Sequence, residues 1–155
     1  MNVIKNPKKG GNSMILDLIE GIANNLKNEW NISIYKENVG DTETDNPNFT
    51  IIVPKSEEKK LMGNRCVRQI SVDIRYYAGN AETNTEYYRV AERLFEIMDN
   101  VSLSDGGNAR GQNKKFEFTE GVIIFHVDFD FILTVGKVIN QEDYMETMKS
   151  NTYIE

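Results

Sequence analysis

The sequence predicts an α+β fold: a mainly antiparallel sheet of about five strands, packed on one face by two helices, in the order α-β-β-β-α-β-β. Three observations predict it. Apolar residues recur at three- and four-residue steps in two stretches, one starting at Ile15 and one at Tyr87, which is the period of an amphipathic helix. Strict alternation of apolar and polar residues runs from Arg65 onward and again from Val122, which is the period of a strand with one buried face. The links between strands are of hairpin length, too short for the crossovers of a βαβ repeat.

The elements follow in order. Residues 1–12 (MNVIKNPKKGGN) hold Pro7, the pair Gly10-Gly11 and three lysines, and read as a basic N-terminal arm that is flexible until a partner orders it. Ile15, Leu18, Ile19, Ile22 and Leu26 then line one side of a helix over 13–29, with Asn12 or Ser13 as its cap. Ile32, Ile34 and Tyr35 suggest a short strand. Val39 to Asn48 is an acidic loop, and Phe49, Ile51 and Val53 form a second strand that Pro54 should stop, so the two read as a hairpin. Lys55 to Asn64 is charged and reads as an exposed connection. In the third strand Ile70, Val72, Ile74 and Tyr76 share one face, and Gln69, Ser71, Asp73 and Arg75 share the other.

Thr83 and Glu86 fit a capping box at the start of the second helix, whose apolar stripe runs through Tyr87, Val90, Ala91, Leu94, Ile97, Met98 and Val101. Leu103 to Asn113 contains three glycines and reads as a loop. Phe116 and Phe118 lead into the turn Thr119-Glu120-Gly121, and Val122 to Val135 returns as a long strand. On that strand Ile123, Phe125, Val127, Phe129, Phe131 and Leu133 share one face, opposite Val122, Ile124, His126, Asp128 and Asp130. The domain therefore spans 13–135, and 136–155 is an acidic tail in which Tyr144, Met145 and Met148 could anchor a short helix.

Length and composition narrow the class. With 155 residues and 27% charged side chains, a single folded domain is expected rather than disorder. No stretch nears the roughly 20 apolar residues of a membrane-spanning helix. The N-terminus lacks the pattern of a secretory signal, and the lone Cys66 cannot form an internal disulfide. The net charge of −6 argues against specific nucleic-acid binding by phosphate neutralisation. Outside the arm the imbalance is sharper: residues 13–155 hold 15 bases against 24 acids, a net of −9.

Motifs for chemistry are sparse. His126 is the sole histidine, and Asp128 and Asp130 share its strand face, so the three could line up as metal ligands or an acid–base set. No second ligand motif accompanies them, and an ordinary polar strand face explains the row as well. Asp41, Glu43 and Asp45 alternate as at the start of a calcium loop. The sixth and twelfth positions then hold Asn46 and Ile52, where such a loop needs glycine and a bidentate carboxylate. Cys66 has no histidine partner in the pattern, Gly106-Gly107 and Gly111 lack the lysine and context of a phosphate loop, and no serine sits in a nucleophile elbow. The reading is therefore no enzyme, with no catalytic residue, cofactor or metal.

Five runs carry a likeness to a known family: MILDLIEGIANNLKNEW, ISIYKENV, KKLMGNRCVRQISVDIRYY, YYRVAERLFEIMDNV and KKFEFTEGVIIFHVDFDFIL. Together they resemble the tail terminator proteins of long-tailed bacteriophages and prophages of Gram-positive bacteria, over roughly Met14 to Leu133. The most specific pieces are the turn Leu61-Met62-Gly63-Asn64-Arg65 with its following strand, and the helix core Ala91-Glu92-Arg93-Leu94-Phe95. The arm before Met14 departs from the family pattern. The resemblance implies a non-enzymatic virion protein of the tail or neck, assembled in the host cytoplasm, that forms a typically hexameric ring on the last ring of the tail tube. Its implied partners are other copies of itself, the tail tube protein, a neck or connector protein and, in contractile tails, the sheath. DNA passes through such a ring without specific binding, and no membrane is involved. Another small neck or head-completion protein of the same particle is the alternative role.

Charge suggests the contact residues. Arg65 and Arg68 stand at the start of the cleanest strand. The loop acids Asp41, Glu43 and Asp45 and the tail acids Glu142, Asp143 and Glu146 offer the opposite sign, so neighbouring copies could pair the two and fix their register.

Overall fold

The computed structural model of the chain describes residues 13–36, 46–79 and 84–134, together with the backbone of 2–4. Ten elements follow one another: β1 (Asn2–Ile4), α1 (Met14–Glu29), β2 (Ser33–Tyr35), β3 (Asn48–Lys60), β4 (Arg65–Tyr77), α2 (Asn84–Ile97), β5 (Val101–Ser102), β6 (Asn108–Ala109), β7 (Gln112–Thr119) and β8 (Val122–Thr134). The main sheet runs β1-β8-β4-β3-β2, with β7 also paired to β8. The α+β class, the two helices and the mainly antiparallel sheet are as the sequence indicates.

The centre of the sheet is the antiparallel pair β4–β8, matched residue for residue from Arg65 opposite Thr134 to Tyr77 opposite Val122. At about 3.3 Å per residue, each of these 13-residue strands is roughly 43 Å long. Alternation decides which face is buried. Ile70, Val72, Ile74, Phe125, Val127, Phe129 and Phe131 are fully enclosed beneath the two helices, in one core with Leu18, Ile22, Leu26, Ala91 and Leu94.

Local chemistry sets the helix ends. The Ser13 hydroxyl accepts a hydrogen bond from the Leu16 N–H at 3.0 Å and caps α1, as a serine at that position is suited to do. The Asn25 side chain donates to the carbonyls of Ile97 (2.9 Å) and Asn100 (2.8 Å), so α1 satisfies acceptors that the end of α2 leaves open. Arg93 of α2 grips Glu29 of α1 with two bonds, at 2.8 and 2.9 Å. Tyr87 fixes the start of α2 against the β7–β8 turn: its hydroxyl donates to the Gly121 carbonyl at 2.6 Å and accepts from the Ala78 N–H at 3.3 Å.

Several boundaries differ from the sequence reading. β2 and β3 are not a hairpin: they pair in parallel, Ser33 with Asn48 and Tyr35 with Thr50. The connection over 36–47 is long enough for the crossover that a parallel pair needs. β3 does not stop at Pro54. A register shift between Ile52 and Lys55 absorbs the proline, and the strand continues to Lys60, so the supposed connection is half of a long hairpin with β4. Helix α2 ends at Ile97, and Val101, read as helical, is buried in β5. β7 begins at Gln112 inside the supposed loop, with a bulge around Asn113, whose φ is 53°. The β7–β8 turn is as expected: Glu120 (φ 50°) and Gly121 (φ 77°) make a two-residue turn that suits the strand twist.

The first residues of the arm join the sheet, since β1 runs parallel to β8 with Val3 opposite Ile132. The rest of the arm, Thr83 of the capping box, the loop over 37–45 and the acidic tail lie outside the described residues.

Candidate functional site

The sheet face turned away from the helices carries a row of paired polar side chains. β4 and β8 place three cross-strand pairs side by side on it. Gln69 donates to Asp130 at 3.0 Å. Ser71 donates to Asp128 at 2.8 Å, and Asn113 of β7 donates to the other carboxylate oxygen at 2.9 Å. His126 Nδ1 lies 2.5 Å from Asp73, and its Nε2 lies 3.6 Å from Glu117 of β7. The row of His126, Asp128 and Asp130 therefore exists, and each member has its own partner across the ladder. Among the described residues no group of three or more His, Cys, Asp or Glu is placed to hold a metal ion. Chemically this is a satisfied polar ladder: it fixes strand register and presents carboxylates to the solvent.

The second feature is the outer half of the β3–β4 hairpin. Residues 54–60 are exposed on both faces, because the apolar pattern of β3 ends at Val53 and neither side has a core to meet. At the tip Met62 is 80% exposed, and Gly63 takes a φ of 72° that favours glycine. Lys59, Lys60 and Arg65 crowd this tip and form no ion pair among the described residues, so the prong is basic on an acidic protein. Arg65 is exposed at the first position of β4. Arg68 already has a partner in its own hairpin, reaching Glu58 with Nε at 3.0 Å and Nη2 at 2.6 Å. Those hydrogen bonds, with the charge of Arg68, hold the Glu58 carboxyl below its usual range. A shallow groove of about 650 Å³ runs along this half of the hairpin. Its lining includes Glu57, Glu58, Lys59 and Asp130 with Val67 and Gln69, and it lacks the apolar walls of a small-molecule pocket.

Cys66, the remaining candidate, is buried at the start of β4. Burial, then the negative charge of Glu58, pushes its thiol pKa up, which is the wrong direction for a nucleophile. The acids proposed as its neighbours' contacts, Asp41, Glu43, Asp45, Glu142, Asp143 and Glu146, lie outside the described residues. Sequence reasoning missed the partners Asp73, Glu117 and Asn113 of the polar ladder. Alternation placed Asp73 on the correct face, but only register could bring it to His126.

The fold is thus a sheet with one helical layer, a polar open face and a projecting hairpin. Comparison with known families gives the identity. The family model of the phage tail terminator protein matches residues 17–142, which takes in most of α1, all of α2 and every strand from β2 to β8. The chain belongs to the phage tail terminator family. That family is structural, which fits the absence of enzyme motifs in the sequence, and it makes the chain a component of the virion tail. No curated protein matches the chain.

Proposed function

We propose that this protein ends a phage tail by closing into a ring of about six copies on the last ring of the tail tube, a head-to-tail closure of the kind that gives cyclic assemblies. Tube growth stops there, and the far side of the ring meets the neck or connector protein and, in a contractile tail, the end of the sheath. Assembly takes place in the host bacterial cytoplasm. The family match over 17–142 carries this reading. The acidic balance supports it physically: with a net charge of −6, and Asp73, Asp128 and Asp130 on the open face, the subunit repels phosphate, so DNA can slide through the ring.

The subunit contacts belong to the same proposal. Arg65 at the basic prong pairs with an acidic segment of a neighbouring copy, drawn from Asp41, Glu43 and Asp45 or from Glu142, Asp143 and Glu146. Arg68 shapes the prong through Glu58. The arm over 1–12 and the tail over 136–155 engage a neighbour, the sheath or the neck. Native mass spectrometry and electron microscopy of intact tails test the ring. The expected result is a monomer or weak oligomer in solution and a ring of about six copies between tube and connector. A stable monomer absent from purified tails overturns the proposal. Changing Arg65 to Glu should reduce rings on tubes while leaving the melting temperature nearly unchanged, whereas Arg68→Glu should reduce rings and also lower it slightly by setting a second carboxylate against Glu58.

A further inference from the structure

Besides the outer edges of the three-residue strands β1 and β2, the main sheet has two longer stretches of strand edge with no strand partner among the described residues, and they are chemically matched. On one side β2 covers only Asn48, Phe49 and Thr50 of β3, so the edge of β3 beyond them is open. On the other side β7 pairs with β8 and presents its own outer edge.

Which backbone groups point outward follows from the turns. The Leu61 N–H donates to the Arg65 carbonyl at 2.9 Å, so 61 and 65 form a hydrogen-bonded pair. Antiparallel alternation then directs the N–H and C=O of residues 57 and 59 inward to β4, and turns those of Glu58 and Lys60 outward. The close contact of Glu58 with Arg68 fits that assignment, because non-hydrogen-bonded pairs bring side chains nearest. On β7, the two-residue turn Glu120-Gly121 makes Thr119 and Val122 a hydrogen-bonded pair. Phe116 and Phe118 are then the residues whose backbone groups face outward.

Resting on the ring reading above, we infer that successive copies are joined by strand addition: the outer edge of β3 in one copy pairs antiparallel with the β7 edge of the next. Lys60 lies opposite Phe116, Lys59 opposite Glu117 and Glu58 opposite Phe118. Direction favours this partner. β3, β4, β8 and β7 alternate in direction, so rotation about a ring axis sets a β3 beside a neighbouring β7 that runs the opposite way. Pairing β3 with its own copy would need a two-fold axis and would close at two subunits. Charge selects the register. Lys59 and Glu117 both lie on the open face; a shift by one outward pair in one direction sets Glu57 against Glu117 and Lys59 against Lys115, and a shift in the other sets Leu61 against Glu117 and loses the opposite-charge pair. Charged residues and Pro54 on the β3 edge discourage indiscriminate pairing, which suits an edge reserved for one partner. The open half of β3 lies level with residues 128–133 of β8, and β7 lies level with 122–128, so the joined strands tilt across the ring as they do in closed barrels.

Four variants of the full-length protein test the inference, scored by native mass spectrometry and by electron microscopy of rings on tail tubes. Lys59→Glu and Glu117→Lys should each lower the ring fraction about tenfold, since like charges then face each other at every contact, and combining them should restore it. Glu58→Pro removes one outward N–H and should abolish rings, whereas Glu58→Ala, which loses the same carboxylate, should keep them. If the charge swap fails to restore rings, the inference is overturned while the ring reading stands. The same follows if a folded Glu58→Pro assembles as well as Glu58→Ala. If Glu58→Pro does not fold, the charge-swap set decides alone. Dimers in place of rings overturn the strand pairing, and a wild-type protein absent from tube ends overturns the ring reading and this inference together.

Discussion

Gly21 sits inside α1, where glycine is the poorest helix former other than proline. Replacing it by alanine on an exposed helix would stabilise the fold by about 1 kcal/mol. Its surroundings reverse that sign. A Cβ at position 21 would stand 2.5 Å from the Ser102 carbonyl oxygen and 2.7 Å from the Val101 Cγ1. The Ser102 carbonyl is held in place by the β5–β6 pair, in which Ser102 lies opposite Asn108, so it cannot swing aside as a flexible side chain would. Overpacking of a filled site costs about 1–3 kcal/mol, and a fixed backbone atom puts this site at the upper end. The balance is a net loss of about 2 kcal/mol, or roughly 4–8 °C in the melting temperature of a domain this size. Asn24→Ala, one turn-neighbour away on the exposed side of α1, is the control and should raise stability by a few tenths of a kcal/mol, roughly. Thermal and urea unfolding of the two variants against the wild type decide the matter. A Gly21→Ala protein more stable than the parent would refute the close packing of α1 on β5.

Tyr87→Phe removes the hydroxyl that bridges Ala78 and Gly121 and should cost about 1–2 kcal/mol in urea unfolding. Phe129→Ala empties a fully buried site on the central strand and should cost about 3–5 kcal/mol, visible as loss of the cooperative transition at 37 °C. Glu29 is held below its ordinary value of 4.5 chiefly by its hydrogen bonds from Arg93. Its contribution is therefore complete above pH 4.5 and fades as the pH falls through the lowered value in the folded state. The melting temperatures of wild type and Glu29→Gln should differ at neutral pH and converge in acid, and a gap that widens in acid would contradict the assignment.

Periodicity made much of this fold legible. The stripes of α1 and α2 and the alternation of β4 and β8 gave their buried faces directly, because side-chain spacing alone determines them. Strand direction leaves no such trace. Nothing in Ile34 and Tyr35 distinguishes a hairpin from the parallel pairing with Phe49 and Thr50 that the structure has. The outer half of β3 was illegible for another reason: residues 55–60 are polar throughout, and backbone bonds to β4 hold the strand without a buried face to mark it. In the same way, the charge of Arg68 was legible and its partner Glu58 was not, since a cross-strand pair depends on register. The ladder of His126 with Asp73 was hidden for that reason too.

β8 is the strand on which the sheet converges, taking β4 along its whole length on one side and β7 and β1 end to end on the other. Its pairing with β4 joins residues separated by 45 to 69 positions in the chain, from Tyr77–Val122 to Arg65–Thr134. Loops of that length are slow to close, and their contacts come late in folding. The helices and the β3–β4 hairpin can begin to form on a growing chain, but the two layers have no floor until β8 has left the ribosome. The rigid two-layered fold is therefore the last thing the chain acquires, completed only when β8 is free to pair with β4.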